Sequence, residues 1–458
     1  MGATAAGGGV GTVAPGPGEL CDGPEASGGE GEGPPAPQTY LVTGGRPLKG
    51  RLRVQGAKNA ILPLLAACLL ATEPCLLLDA PRLSDVAAMV AILRHLGATV
   101  RSLRLEGIPA LAVDPRGVTG HEVPDHLMRR LRSSIFVMGP LLARLGRARL
   151  SLPGGCDIGP RPVDFHLRGL EALGARIRED GGGMLAEAGH LQGAEIYLDQ
   201  PSVGATENVM LAATGARGTT VIRNAAREPE VVDLQVFLNR LGAHVTGAGD
   251  SVITVHGPVT LGGGRHEVVP DRIEAGTWLM ATGVTGGDLT LSNVVPEHIG
   301  ALRAKLREAG FAVEALADGV RLRAAGRPVA TNVQTQPYPG FPTDLQNVFM
   351  ALLLTAKGTS FVTETIFDNR FRVVNGFVRM GAQISTYGRV AVVNGVPRLT
   401  AAAMEGGLDL RGAAALVVAA LGAEGTSVVT GVECLERGYQ GFAERLRTLG
   451  ADVRVERS

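Results

Sequence analysis

LRHLGATV, residues 93–100, is the first of six stretches in this chain that share one pattern. An apolar helical stripe runs into a glycine, and a strand with β-branched residues begins directly after it. The other copies are LEALGARI (170–177), LNRLGAHV (238–245), LREAGFAV (306–313), FVRMGAQI (377–384) and LRTLGADV (446–453). The shared glycines, Gly97, Gly174, Gly242, Gly310, Gly381 and Gly450, are separated by 77, 68, 68, 71 and 69 residues. This spacing is too regular for six chance helix ends, so it predicts a repeated α/β unit.

The glycine of each copy is typical of a helix that ends in the left-handed conformation, which glycine adopts without strain. A further strand with alternating character precedes five of the helices. These strands are RARLSLPGG from 147, GTTVIRNAA from 218, GDLTLSNVV from 287, GTSFVTETI from 358 and GTSVVTGVE from 425. A chain of 458 residues usually exceeds one hydrophobic core, so six units predict two domains of three units each.

The overall charge balance argues against binding to a partner with a large net charge. Lys plus Arg and Asp plus Glu each number 44, so the formal net charge is zero. A neutral protein has no general attraction to nucleic acid or to an anionic membrane, and an anionic ligand requires a local cluster of cations. No stretch resembles a signal peptide, and no uninterrupted apolar run reaches about 18 residues. We therefore expect a soluble, cytoplasmic protein without nucleic-acid or membrane partners.

The five cysteines indicate a reducing compartment. They are Cys21, Cys68, Cys75, Cys156 and Cys434. Their number is odd and their spacings match no zinc-binding pattern, so neither a disulfide framework nor a metal site is expected. At most one thiol is predicted to carry chemistry.

Residues 1–38 differ in composition from the rest of the chain. They consist mainly of Gly, Pro, Ala and Glu and contain few side chains that could be buried. Such a segment cannot offset the entropy lost on ordering, so it is interpreted as a disordered tail. Its Cys21 is interpreted as incidental.

Cys156 lies in GGCDIGPRPVDFH, residues 154–166. The glycines allow a sharp turn that exposes the sulfur, and Arg161 could lower the thiol pKa and bind an anion. A cysteine in this setting can act as a nucleophile or a proton donor. The residues alone leave open an incidental cysteine in a glycine-rich turn.

Two segments place polar groups at predicted helix starts. VQGAKNAILP, residues 54–63, offers the Lys58 ammonium and the Asn59 amide beside free backbone N–H groups, which suits phosphate. PGFPTDLQ, residues 339–346, places Asp344 after a proline-rich turn, where a carboxylate can accept a hydroxyl proton. Each also has a plain interpretation, as a solvated lysine and a helix-capping aspartate.

Several arginines lie in apolar or turn-rich surroundings. They are Arg132 in LRSSIF, Arg370 in FDNRF, Arg411 in LDLRGAAAL and Arg437 in LERGYQ. Each alone suits a structural ion pair. Together with Lys58 and Arg161, they could neutralise a substrate that carries carboxylate and phosphate groups.

Nine motifs in this order closely resemble the UDP-N-acetylglucosamine 1-carboxyvinyltransferases, the first committed enzymes of bacterial peptidoglycan synthesis. The motifs are VQGAKNA, SLPGGCDIGPRPVDFH, PSVGAT, NAAREPEVVD, PDRIEAGT, FPTDLQ, ETIFDNRF, DLRGAAALV and ERGYQ. The resemblance covers residues 39–458. It implies two inside-out α/β barrel domains, each of three βαβαββ-type repeats, as in the related EPSP synthases. One domain would span 59–269 and the other would combine 39–58 with 270–458, with the active site in the cleft between them.

The resemblance also implies roles in the reaction with phosphoenolpyruvate. Cys156 would donate a proton to the methylene carbon and can also attach covalently to the substrate. Asp344 would take the proton from the sugar 3-hydroxyl, or receive it as the tetrahedral intermediate collapses. The phosphoenolpyruvate site would contain Lys58, Asn59, Arg161, Arg370, Arg411 and Arg437, with Lys58 and Arg437 also counted as catalytic. The sugar-nucleotide site would contain Arg132, Arg161, Pro162, Val163, Asp164, Phe165, Ser202, Val203, Asp344 and Ile366. No cofactor, metal or obligatory protein partner is implied.

Two alternatives remain open at the level of the sequence. The same transfer to another uridine acceptor would require similar residues around the uridine. A non-catalytic paralogue that only binds UDP-sugar would tolerate the loss of Cys156, Asp344 or Lys58, and all three are present. The Cys156 segment and PSVGAT, residues 201–206, resemble the sugar-nucleotide enzymes rather than the EPSP synthases.

Overall fold

A computed structural model describes residues 37–151, 163–407 and 409–457. The α-helices are α1 (Lys58–Cys68), α2 (Ser84–His95), α3 (Asp125–Met128), α4 (Met138–Leu145), α5 (Asp164–Ala172), α6 (Val203–Ala213), α7 (Pro229–Arg240), α8 (Arg272–Thr285), α9 (Gly300–Glu308), α10 (Thr343–Leu353), α11 (Val374–Arg379), α12 (Leu410–Leu421) and α13 (Phe442–Thr448). Short 3₁₀ helices span Arg132–Val137, Pro296–Ile299, Arg370–Val373 and Glu433–Arg437.

The strands are β1 (Gln38–Thr43), β2 (Lys49–Arg53), β3 (Cys75–Leu78), β4 (Thr99–Leu105), β5 (Ile108–Asp114), β6 (Glu122–Val123), β7 (Arg147–Ser151), β8 (Arg176–Asp180), β9 (Gly183–Glu187), β10 (Glu195–Tyr197), β11 (Gly218–Arg223), β12 (His244–Thr246), β13 (Val252–Gly257), β14 (Gly264–Glu267), β15 (Asp288–Ser292), β16 (Ala312–Leu316), β17 (Gly319–Arg323), β18 (Val333–Gln334), β19 (Thr359–Thr363), β20 (Gln383–Tyr387), β21 (Val390–Asn394), β22 (Leu399–Thr400), β23 (Ala403–Glu405), β24 (Ala423–Glu424), β25 (Thr426–Thr430) and β26 (Asp452–Arg457).

Six four-stranded sheets repeat one topology in the described part of the chain. Their strand orders are β14-β3-β5-β4, β6-β7-β9-β8, β10-β11-β13-β12, β2-β15-β17-β16, β18-β19-β21-β20 and β23-β25-β1-β26. In every sheet the first two strands are parallel and the remaining two pairs are antiparallel. A parallel pair needs a crossover connection, and helices such as α6 and α10 provide it. Each unit is therefore of the βαβαββ type that the family resemblance implies.

The six repeat glycines end six helices as the sequence predicts. Their φ angles lie between +85° at Gly381 and +108° at Gly242, in the region that side-chain-bearing residues rarely adopt. One residue lies between each glycine and the last residue of its helix, and a strand begins shortly after the glycine. Gly97, between α2 and β4, is an example. A glycine is needed here because the chain must reverse its direction within two residues.

Two hydrophobic cores divide the chain. One is built from side chains between Ala57 and Val268, and the other from Tyr40, Val42, Leu48 and Val54 together with side chains from Ile273 to Val453. Helices lie inside and sheets outside, since every residue of α12 is buried and α8 and α10 are almost wholly buried beside it. Helices that are apolar on all sides belong in a core. We propose that the domain limits 59–269 and 39–58 with 270–458 separate these two cores.

The N-terminal strand begins one residue earlier than the predicted end of the tail allows. Gln38 was assigned to the disordered tail, but it is the first residue of β1 and is buried. Its backbone N–H donates to Glu433 and its side-chain amide donates to Glu436, so both of its ends have partners. Residues 1–36 of the predicted tail, including Cys21, lie outside the described residues.

The chain crosses between the two cores at two adjacent segments. Gly56 and Pro270 form an antiparallel bridge, and β14, near the end of the first core, completes the sheet of β3 to β5. A Cβ at Gly56 would lie 2.1 Å from the carbonyl oxygen of Asp79, so only glycine fits this close approach. The start of α1 and the start of α8 therefore lie side by side.

Candidate active site

Lys58 and Arg437 share one buried carboxylate. Lys58 opens α1 and its Nζ lies 2.6 Å from Asp85 Oδ2, while Arg437 Nε lies 2.9 Å from Asp85 Oδ1. Asp85 is in the first turn of α2, and its side chain is only 3% exposed. Arg437 ends the 3₁₀ helix Glu433–Arg437, so three elements from both cores meet here. We call Lys58, Asp85 and Arg437 the lysine cluster.

The charges of the lysine cluster leave an excess of one positive charge. Burial opposes the ionisation of Asp85, but Lys58 and Arg437 outweigh it and hold the pKa of Asp85 below its usual range. Two cations thus face one carboxylate. An incoming phosphate could share these cations through charge-assisted hydrogen bonds.

Arg370 and Arg411 hold Asp344 between them. Arg370 Nη2 lies 2.6 Å from Asp344 Oδ1, and Arg411 Nη2 lies 3.2 Å from Asp344 Oδ2. The arginine side chains are 2% and 5% exposed, whereas the carboxylate is 25% exposed and remains accessible. Asp344 is the second residue of α10, and Arg411 is the second residue of α12. We call these residues, with Asp409, the arginine cluster.

Asp409 orients the arginine cluster. It caps α12 by accepting from the Arg411 backbone N–H at 3.0 Å, and its carboxylate also accepts from Asn347 at 3.2 Å and from Arg370 at 3.4 Å. Because one side chain both starts the helix and contacts two neighbours, α12 and the 3₁₀ helix of Arg370 are held together.

The buried guanidinium groups retain capacity for an anion. Nε of Arg370 is buried and has no hydrogen-bond partner among the described residues. Burial opposes the charge of Arg411, but Tyr439, Asp344 and Asp271 together raise its pKa. The Arg411 guanidinium also lies 5.1 Å from the centre of the Tyr439 ring. An unpaired buried donor is costly, and a ligand carboxylate would satisfy it.

The two clusters are connected through Asp271. Its side chain caps α8 and also accepts from the Lys58 backbone N–H at 3.1 Å. Tyr439 lies two residues after Arg437 and packs under Arg411, with its hydroxyl 2.9 Å from Thr277 Oγ1 of α8. The lysine cluster and the arginine cluster are therefore neighbours. Asn59, the second residue of α1, lies half-buried beside Lys58.

His166 lies at the centre of the predicted sugar-nucleotide residues of the first core. Its ring Nδ1 accepts a 3.1 Å hydrogen bond from the Asn208 side-chain amide, and a Cβ at Gly204 would lie 3.0 Å from the ring. Burial and the neighbouring charge of Arg132 lower the pKa of His166 to about 4, against an opposing effect of Asp164. The helix starts at Asp164 and at Val203, which Ser202 caps, thus meet around a neutral imidazole.

Val163 and Phe165 flank the same helix start. Val163 immediately precedes α5, and the Phe165 ring lies 4.9 Å from the Arg168 guanidinium. Arg168 also pairs with Asp164 at 2.9 Å. The structure therefore brings Arg132, Val163, Asp164, Phe165, Ser202 and Val203 to one region of the first core.

Ile366 lies in the second core, on the side of Asp344. The buried Glu364 accepts from the Ile366 backbone N–H at 2.7 Å and from the Thr343 hydroxyl at 2.8 Å. Thr343 precedes Asp344 directly, so Glu364 fixes the Ile366 loop against the start of α10. Ile366 is 37% exposed and remains available to a ligand.

Three predicted site residues cannot be placed. Cys156, Arg161 and Pro162 lie within 152–162, outside the described residues. Their roles stay predictions.

Sequence reasoning missed four residues that organise the site. Asp85 and Asp409 look like ordinary helix-start aspartates, and only their contacts with arginine and lysine side chains distinguish them. Glu364 and His166 occur within motifs quoted from the sequence, but nothing in their spacing marks them. The sequence does contain one signal in the Asp409 segment, because a charged residue rarely begins a wholly apolar helix unless it has a buried partner.

Two structural features are absent among the described residues. Among residues 37–151, 163–407 and 409–457, no group of three or more His, Cys, Asp or Glu side chains is arranged to hold a metal ion. In the same part of the chain, no helix combines the length and the apolarity required to span a bilayer.

This architecture is similar to that of known protein families. The family model described as EPSP synthase (3-phosphoshikimate 1-carboxyvinyltransferase) matches residues 42–446. The enolpyruvyl transferase NikO from Streptomyces tendae has a similar structure, with a TM-score of 0.82 at 25% identity over 93% of this chain and 100% of NikO. An EPSP synthase from Acinetobacter baumannii, 20% identical with a TM-score of 0.71, has the same fold. The predicted fold class, paired inside-out α/β domains, is confirmed.

Curated relatives define the family more narrowly. UDP-N-acetylglucosamine 1-carboxyvinyltransferase 1 of Symbiobacterium thermophilum is 52% identical over 91% of this chain and 95% of the relative. UDP-N-acetylglucosamine 1-carboxyvinyltransferase 2 of Caldanaerobacter subterraneus subsp. tengcongensis is 49% identical over 90% of this chain and 98% of the relative. The chain therefore belongs to the EPSP synthase family and, within it, to the UDP-N-acetylglucosamine 1-carboxyvinyltransferases.

Proposed function

We propose that this chain transfers the enolpyruvyl group of phosphoenolpyruvate to the 3-hydroxyl of UDP-N-acetylglucosamine and releases phosphate. The observation that carries the proposal is the position of Asp344, a carboxylate 25% exposed between two buried arginines beside the lysine cluster. A base next to fixed cations suits a reaction that takes a proton from a hydroxyl and handles a doubly anionic substrate. The family membership supports the same activity.

The cations divide between the two anionic ends of phosphoenolpyruvate. Lys58 and Arg437, with Asn59 and Arg161, would bind the phosphate. Arg370 and Arg411 would bind the carboxylate, since their planar guanidinium groups match its geometry. Substrate carboxylate would thereby satisfy the unpaired Nε of Arg370.

The reaction proceeds in two balanced stages. In the addition, Cys156 gives a proton to C3, the sugar 3-oxygen bonds to C2, and Asp344 takes the hydroxyl proton. In the elimination, C3 returns a proton to the Cys156 thiolate, and the double bond between C2 and C3 is restored. The C2–O bond to phosphate breaks with its electron pair on the phosphate oxygen, and the departing phosphate takes the proton that Asp344 held. The arginines and Lys58 stabilise the departing phosphate, which needs no change in their positions.

The sugar nucleotide would span both cores. Arg132, Val163, Asp164, Phe165, Ser202 and Val203, with Arg161 and Pro162, would bind it from the first core. Asp344 and Ile366 would approach the sugar from the second. The transfer would be the first committed step of peptidoglycan synthesis in the cytoplasm, and would thereby serve cell-wall biogenesis, cell shape and division.

The first experiment measures phosphate release from phosphoenolpyruvate with purified protein, with and without UDP-N-acetylglucosamine. We expect release that depends on the sugar nucleotide and a product heavier by one enolpyruvyl unit in mass spectrometry. Release with UMP but not with the sugar nucleotide would show another uridine acceptor. Binding of the sugar nucleotide without any release would show a binding-only protein.

A further inference from the structure

At the junction between the cores, two adjacent residues at the start of α8 contact different groups. Asp271 accepts from the backbone N–H of Lys58 at 3.1 Å and so contacts the catalytic side. The next residue, Arg272, contacts α7 of the first core instead. Its Nε lies 3.0 Å and 3.3 Å from the two carboxylate oxygens of Glu230. Adjacent residues thus connect the lysine cluster to a second charged group.

Arg272 is the cation of that second group. Its side chain is 10% exposed and that of Glu230 is 3% exposed. The Arg272 guanidinium lies 5.5 Å from the centre of the Tyr338 ring, and the Tyr338 backbone N–H donates to Glu228 at 3.4 Å. We call Arg272, Glu228, Glu230 and Tyr338 the junction cluster.

Tyr338 belongs to the turn that carries Asp344. The turn of residues 337–342 is closed by hydrogen bonds from Gly340 N–H to Pro337 at 2.9 Å and from Gln336 N–H to Phe341 at 2.9 Å. It leads directly into α10, whose second residue is Asp344. Because the turn is internally closed, a shift of Tyr338 moves the start of α10 with it.

The junction cluster depends on the charge of Arg272. Glu207 of α6 is fully buried, and neither of its carboxylate oxygens has a partner among the described residues. Burial raises the pKa of Glu207 well above its usual value, and the charges of Glu230 and Glu228 raise it further. Without Arg272, two carboxylates and this buried acid would face one another, and Glu228 would no longer be held against the turn.

The cores are otherwise loosely packed at this place. A cavity of about 270 Å³ lies between them, lined from the first core by Arg227 and Asp233 and from the second by His298 and Tyr338. The turn therefore has room to move if its anchor is removed. The Arg272 contacts restrict this movement.

We propose that Arg272 is a positioning residue for the transfer reaction. It holds the turn of residues 337–342 against the first core and thereby sets the position of Asp344 relative to the lysine cluster. The inference rests on the proposed function, because it assigns to Asp344 the role of proton acceptor. Misplacement of a reacting group by about 1 Å can lower turnover on the order of 100-fold.

The test compares Arg272→Gln and Arg272→Lys with the wild-type enzyme. We expect Arg272→Gln to lower kcat on the order of 10- to 100-fold, with the KM for phosphoenolpyruvate nearly unchanged because the lysine cluster is intact. Arg272→Lys keeps the charge but not the paired geometry, so it should recover part of kcat. A merely structural arginine would reduce the folded fraction and leave kcat per folded molecule unchanged.

Two further variants keep the inference testable if Arg272→Gln does not fold. Tyr338→Leu removes the ring contact at a half-exposed position and should lower kcat several-fold without a large change in melting temperature. Glu230→Gln combined with Arg272→Gln should lower kcat no further than Arg272→Gln alone, because both act through one contact. Additive losses would overturn the inference.

Arg144→Gln serves as the matched control. Arg144 is also partly buried and donates to the carbonyl groups of Leu69, Ala71 and Pro115, remote from the turn. Its loss should lower stability and leave kcat unchanged. A wild-type enzyme that releases no phosphate would refute the proposed function, whereas wild-type kcat in folded Arg272→Gln would refute only the positioning role.

Discussion

Asp85 joins cations from both cores, yet in the sequence it is an aspartate in the first turn of a helix. Lys58 and Arg437 gain their position from it, and 352 residues separate it from Arg437. Burial opposes the ionisation of this carboxylate, but the two cations hold its pKa below the usual range. Single residues of this kind determine where the catalytic charges lie.

We predict that Asp85→Asn lowers the free energy of unfolding by about 3 kcal/mol near pH 7, because it leaves two cations without their buried counter-charge. The folded-state pKa of Asp85 lies below its usual value, so this stabilisation exists above about pH 4 and disappears as pH falls through the folded-state pKa. Urea unfolding at several pH values should therefore show a wild-type advantage that shrinks in acid.

Asp288→Asn is the control for this measurement. Asp288 forms a surface pair with Arg321 at 2.7 Å, with both side chains 39% exposed. Exposed pairs contribute little, so this variant should remain close to wild type. An Asp85→Asn deficit that stays constant between pH 7 and pH 3 would contradict our account of the lysine cluster.

Cys156→Ser tests the proton donor. We expect turnover at neutral pH to fall at least about 100-fold, because general acid catalysis contributes this much and a serine hydroxyl is a far weaker acid. Calorimetric binding of UDP-N-acetylglucosamine should stay close to wild type. Near-normal turnover in this variant would show that another group delivers the proton.

At the scale of single elements, the helix ends decide the repeated unit. Six helices stop at a glycine with positive φ and turn into an outer strand of their sheet. The sequence predicted all six because a left-handed helix end has a local cause. The buried helices α8, α10 and α12 begin with the residues that form the site, so helix ends also supply its chemistry.

Replacing Gly242 with alanine should lower the free energy of unfolding by roughly 1–2 kcal/mol, which is the strain of a left-handed alanine. The added Cβ would meet nothing closer than 3.8 Å, so the backbone alone is responsible. Gly300→Ala is the matched control, since Gly300 has φ −54° and free space around it. That variant should be neutral or slightly more stable in the same urea titration.

The whole molecule is completed by strands that come from distant parts of the chain. β1 lies between β25 and β26, and β14 completes the sheet of β3 to β5. Only the second core combines distant parts of the chain, residues 40–54 with residues 273–453, whereas the first core comes from one continuous stretch. Relative movement of the cores is restricted by the paired segments at Gly56 and Pro270, by the lysine cluster and by the contacts around Arg272.

Two truncations test this arrangement. Removal of residues 1–36 should leave kcat within about twofold of wild type, because their composition offers little to bury. Removal of residues 1–43 deletes β1 from the middle of its sheet and should prevent recovery of soluble, folded protein. Size-exclusion chromatography and the phosphate-release assay distinguish the two results. A large loss of kcat in the shorter truncation would give the tail a catalytic role.

The sequence by itself determined the repeated unit, the two-domain fold class and the identity of most candidate site residues. Helix ends, strand alternation and short motifs depend on neighbouring residues, so they can be recognised locally. Gln38 was assigned to the tail rather than to β1 because its partners Glu433 and Glu436 are almost 400 positions away.

Only the tertiary structure decided which charges share a site. Asp85 and Asp409 became distinctive through contacts with Arg437 and Arg370 that no local pattern records. Arg272 likewise differs from other helix-start arginines only because Glu230 and the Asp344 turn approach it from separate cores. Burial and the distance between opposite charges set these interactions, and both quantities arise only when the two cores pack together.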